Sequence, residues 1–111
     1  MDAAMITTAF VLPGYRVREN RGVVRGIIVR APTIAQGLMG GIKSFVGGQI
    51  GAYTEMCEQA RQQAFDLLVE HAEALGANAI LGVRYDASSV SHQGATEVLC
   101  YGTAVFVEKE G

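Results

Sequence analysis

The chain has 111 residues, half of them hydrophobic but only 7% aromatic, with 11 acidic against 9 basic side chains and a formal net charge of −2. That length supports one domain burying roughly two-thirds of its extended surface, around a core of small and aliphatic side chains. The acidic balance argues against a general nucleic-acid binder, no apolar run reaches the ~20 residues of a membrane helix, and residues 1–12 lack the pattern of a secretory leader, so a cytoplasmic location is the expectation.

Pro13-Gly14 is a turn signal. Residues 15–29 are rich in Val and Ile and read as one long bent strand, or as two, because Gly22 and Gly26 each mark a bulge or a close backbone approach. Ala31-Pro32-Thr33 breaks the strand. Ile34, Leu38, Ile42 and Phe45 then predict a short, glycine-loosened helix, followed by a loop at Gly47-Gly48-Gln49-Ile50-Gly51. A long amphipathic helix follows over residues 53–75, roughly 35 Å in length. Tyr53, Met56, Cys57, Ala60, Ala64, Leu67, Leu68, His71 and Leu75 form its apolar stripe, and Phe65, Val69 and Ala72 add a second strip beside it. So wide an apolar arc implies burial against more than one surface, a partner subunit included.

Gly76 supplies a left-handed residue to end the helix. The period then changes to two: Ala79, Leu81, Val83 and Tyr85 face one way, Ile80, Gly82, Arg84 and Asp86 the other. A polar connection over 88–94 leads to a strand at 96–107, giving a hairpin and an α+β chain.

Charge divides the chain unequally. Residues 1–54 hold six basic and two acidic groups, residues 55–111 three basic and nine acidic. Either the basic strand of one copy meets the acidic helix of the next, a contact that can close into a ring, or the same groups pair within one chain. Arg16, Arg18 and Arg25 are spaced to follow phosphates, but no aromatic platform beyond Tyr15 accompanies them, and nucleic acid is not an expected partner.

Two catalytic look-alikes fail on their chemistry. Gly37-Leu38-Met39-Gly40-Gly41-Ile42-Lys43-Ser44 approaches a phosphate-binding loop but puts Ile42 where the second glycine must admit the phosphate. Ser88, Ser89, Ser91 and His92 lack the Gly-x-Ser-x-Gly elbow. No enzyme is expected on these grounds.

The ordered signatures Gly47-Gly48, Gly51-Ala52-Tyr53, Ala60-Arg61, Ala64, Gly76-Ala77-Asn78-Ala79-Ile80-Leu81-Gly82-Val83 and Tyr101-Gly102-Thr103-Ala104-Val105 resemble the YbjQ-like family of small bacterial and archaeal proteins, from about Gly22 to Val107. The resemblance implies a single domain over residues 1–111: a dodecin-like α+β subunit, with one long helix and the short glycine-rich one packed on a small antiparallel sheet, assembled as a pentameric ring. It also brings a heavy-metal-binding label with no activity attached.

That label directs attention to Cys57, His71, His92 and Cys100, yet the chain has no Cys-x-x-Cys and no His-x-x-x-His. Cys57 and His71 stand roughly 21 Å apart along the helix, too far to share an ion within one chain. Both thiols read as reduced core residues without a disulfide, His71 as a half-buried polar tip, and no cofactor is implied. The leading expectation is a non-enzymatic homo-oligomer with a binding or scaffolding role. The alternatives are a small-ligand or metal site between subunits, lined by Gln49, Tyr53, Arg84 and Tyr85, and an enzyme with a composite interface site.

Overall fold

The computed structural model describes residues 1–30, 48–92 and 94–111. A short 3-10 turn (Ala3–Met5) precedes strand β1 (Tyr15–Arg30), helix α1 (Gly48–Ala74), strand β2 (Ala79–Ser89) and strand β3 (Thr96–Lys109). The strands form one antiparallel sheet in the order β1-β3-β2, with the helix on one face. The short helix expected near Ile34–Phe45 and the phosphate-loop-like run at 37–44 lie outside the described residues.

β1 is one strand, and its two glycines serve the two purposes that the sequence left open. Register shifts against β3 at Val17/Glu19 and Asn20/Gly22 each add a residue to β1. At the second, the Asn20 Oδ1 accepts the Gly22 N–H at 2.7 Å while Gly22 takes φ 102°. Gly26 marks the close approach instead. A Cβ there would lie 1.9 Å from the Ala64 carbonyl oxygen and 2.6 Å from the Leu68 nitrogen, so the helix backbone rests directly on the strand.

That proximity decides which helix face is buried. Ala60, Ala64, Leu68 and Ala72, at strict four-residue spacing, face the sheet, with Phe65 and Val69 partly buried beside them. The expected stripe is corrected accordingly: Tyr53, Cys57, Leu67, His71 and Leu75 are exposed, because they fall off the Ala60–Ala64–Leu68–Ala72 diagonal that rests on the sheet. Gly48 and Gly51 belong to the helix's first turns and not to a loop. The far end is as expected. Gly76 has φ 77°, its N–H donates to Glu73 O at 3.0 Å, and the Ala77 N–H donates to Ala72 O at 3.1 Å, satisfying the last carbonyls.

Asn78 then locks the helix end to the sheet. Its side-chain amide donates to Val107 O at 3.0 Å and accepts the Val107 N–H at 2.8 Å, as a strand residue would.

The simple alternation expected along β2 breaks at Gly82. With φ 63° Gly82 forms a bulge, seen as a register shift between Leu81 and Arg84 against β3. Before it, Ile80 faces the helix and Ala79 and Leu81 the opposite side; after it, Val83 joins Ile80 in the helix-side core. The extra residue reverses parity, so Leu81 and Val83 do not share a face. Val24, Ile80, Val98, Cys100 and Ala104 complete the core under the helix, and no aromatic side chain is buried among the described residues.

A smaller cluster occupies the other face. Ala79, Leu81, Val105 and Val107 pack there with Met5, Leu12 and Tyr15, so the N-terminal segment covers one end of the sheet. The same segment runs along the β2 edge, where Thr7 N–H donates to Ile80 O at 3.0 Å, Val83 N–H to Thr7 O at 3.0 Å and Gly82 N–H to Ala9 O at 2.9 Å. Among the described residues no helix is long and apolar enough to cross a membrane.

Candidate functional site

The bulge at Gly82 separates Arg84 from Tyr85. Arg84 turns to the N-terminal segment, donating to Thr8 O at 2.9 Å with its guanidinium 5.5 Å from the Phe10 ring centroid. Tyr85 turns to the helix side, where its phenol lies opposite the Cys100 thiol on β3. The Arg61 guanidinium lies over the Tyr85 ring at 5.4 Å. Arg84 and Tyr85 therefore do not line one pocket within a chain. Tyr53 is exposed near the start of α1, and Gln49 is in that helix with its side chain outside the described residues.

Burial raises both members of the Tyr85–Cys100 pair. Desolvation is the leading cause for each, and the Cys100 thiol beside Tyr85 adds to the effect on the phenol. Both groups stay protonated at neutral pH, which makes Cys100 a core thiol and not a nucleophile. Arg61 stands in the Ala60-Arg61 signature but was not offered as a site residue, although it lies one helical turn beyond Cys57. Its stacking on Tyr85 gives that corner a cation above a neutral aromatic hydroxyl, an arrangement that orders the helix on β2 without supplying a reactive group.

The four soft-ligand candidates lie apart. Cys100 is buried opposite Tyr85. Cys57 is exposed on α1, against the expectation that both thiols would be core, because it falls outside the Ala60–Ala64–Leu68–Ala72 face. His71 is exposed, and its Nδ1 accepts the Arg25 backbone N–H at 3.2 Å. His92 is exposed in the turn between β2 and β3. Among the described residues no three His, Cys, Asp or Glu side chains gather where they could hold an ion. Residues 31–47 contain none of these four types. Among the described residues a heavy-metal ion finds no set of three such donors within one chain.

His71 borders an open groove of about 360 Å³ between α1 and the β1 edge, lined also by Arg25, Gly26, Ile27, Leu67 and Glu70. Elsewhere the arginines of β1 are largely used within the chain. Arg16 and Arg18 both pair with Glu108, Arg21 with Glu19, and Arg30 donates to Gln63. In-chain pairing thus accounts for much of the charge on the basic strand.

The sequence matches, over residues 4–108, the model of the YbjQ family, described as "Putative heavy-metal-binding". A UPF0145 protein of Legionella pneumophila (strain Philadelphia 1) is 59% identical over 103 residues, 93% of this chain and 97% of that protein. A UPF0145 protein of Chromobacterium violaceum is 54% identical over 97% of this chain and 92% of its own length. Among solved structures, a Pediococcus pentosaceus protein of unknown function from the DUF74 family has a TM-score of 0.62 at 23% identity, covering 93% of this chain and 96% of that one, which shows the shared α+β fold. The chain belongs to the YbjQ family.

Proposed function

We propose that the protein works as a homo-oligomeric ring in the cytoplasm, five subunits being the number implied by the family resemblance, with a binding or scaffolding role and not a catalytic one. One observation carries this reading. Val23, Ile27 and Val29 alternate along β1 on the sheet face opposite the helix, beside Tyr101 of β3, and are 71%, 46% and 58% exposed. Among the described residues, the N-terminal segment covers the other end of that face and does not reach these side chains. Arg25 stands among them, opposite Tyr101, so the face is apolar around one cation, and an exposed apolar face on a β-sheet is the kind of surface that association buries. Sedimentation velocity of an Ile27→Glu variant tests the reading: loss of assembly with the fold retained supports it, and wild-type assembly in the variant removes this face from the interface.

The second reading is a metal or small ligand held between subunits, favoured by the exposure of Cys57 in a chain whose family carries a metal-binding description. Stoichiometric metal in the purified assembly, lost on Cys57→Ser, would establish it.

A further inference from the structure

β1 is an edge strand, and its pairing with β3 fixes which of its amides face outward. The Arg25 N–H is directed away from β3 to the His71 Nδ1, so Arg25 and Tyr101 face each other as a non-hydrogen-bonded pair. The same parity puts the N–H and C=O groups of Val23, Ile27 and Val29 on the open edge. Among the described residues, His71 is the group that caps this row, at Arg25, next to Gly26, where the helix backbone rests on the strand. An imidazole Nδ1 accepts a hydrogen bond only while it keeps its lone pair.

We infer that the His71–Arg25 contact is a pH-sensitive hook, holding the C-terminal half of α1 to the β1 edge when the ring is neutral and releasing it when the ring is protonated. The neutral ring that accepts at Nδ1 carries its proton on Nε2. Adding a second proton at Nδ1 sets N–H against N–H, which repels, and the Arg25 amide turns to solvent. The charged residues that border the groove are Arg25 on β1 and Glu70 on α1. Farther along the helix end, Arg21 is engaged with Glu19, and Glu73 with the ammonium of Met1. Release adds the Arg25 amide to the open row at Val23, Ile27 and Val29, the type of edge that accepts a further strand.

Nitrogen-15 NMR of the intact protein tests the hook. The ring is expected as the Nε2–H tautomer at pH 8. As the pH is lowered, the Arg25 amide resonance should move with the midpoint of His71, and its protection from exchange, corrected for intrinsic rate, should fall roughly five- to tenfold, equivalent to one net hydrogen bond. His71→Asn, whose amide oxygen can occupy the place of Nδ1, should keep the Arg25 amide pH-independent. A ring protonated at Nδ1 at pH 8, or an Arg25 amide indifferent to the titration of His71, would overturn the inference, and the wild-type titration decides even if the variant does not fold.

Discussion

Gly26→Ala is the sharpest perturbation of the helix–sheet seat. The new methyl group would meet the Ala64 carbonyl oxygen at 1.9 Å, the Leu68 nitrogen at 2.6 Å and the Leu67 Cβ at 2.8 Å. Two of these are helix backbone and cannot rotate away. Restoring ordinary contact, which begins near 3.4 Å, requires the helix to lift by about 1.5 Å at this point. A gap of that size around Ala60, Ala64 and Leu68 forfeits a large part of their dispersion contacts, and overpacking a core costs typically 1–3 kcal/mol. The rigidity of the obstacle puts Gly26→Ala at the upper end, about 3 kcal/mol, or a Tm lowered by ~12 °C for a chain of this length. Gly51→Ala is the matched control: it lies in α1 with nothing within 4 Å of its added methyl, and should stabilise by roughly 0.5–1 kcal/mol through helix propensity. Thermal melts followed by circular dichroism check both. A Gly26→Ala protein melting within about 2 °C of wild type would show that the helix does not rest on β1 as described.

A maleimide reagent should label Cys57 in the native protein and leave Cys100 until unfolding, because burial keeps the Cys100 thiol protonated; rapid labelling of two thiols per chain would refute the packing around Tyr85. On the acid side, hydrogen bonds from Arg18 and then Arg16 hold the Glu108 carboxyl below its usual range, so their stabilisation is complete above the ordinary carboxylate value and is lost as pH falls through the lowered one. Glu108→Gln should flatten that acid limb of a Tm-against-pH curve, and high salt should do the same, since the pairs lie at the surface.

The elements were legible where local rules act alone. The left-handed glycine ending α1, the Pro13-Gly14 turn and the β2–β3 hairpin follow from backbone chemistry that does not depend on distant contacts. What could not be read was the distance between layers. Gly26 could signal a bulge or a close approach, and only the position of Ala64 across the interface decides, so the alanine diagonal of α1 was hidden within a wider apolar stripe. The parity of β2 was misread for a related reason: Gly82 fits strict alternation in sequence, and its positive φ arises from pairing with β3. The candidate site inherited that error. Arg84 and Tyr85 are consecutive, and the N-terminal segment that draws Arg84 to Thr8 and Phe10 lies more than seventy residues away in sequence. Cys100 was read as core from its mid-strand position and is buried, whereas the same reasoning from a mid-helix position failed for Cys57.

The central claim, that the exposed apolar end of the sheet is covered by further copies of the chain, is tested most directly by native mass spectrometry of the purified protein. The account predicts a particle of five times the 11.8 kDa chain mass at micromolar concentration. A stable monomer under those conditions would contradict it.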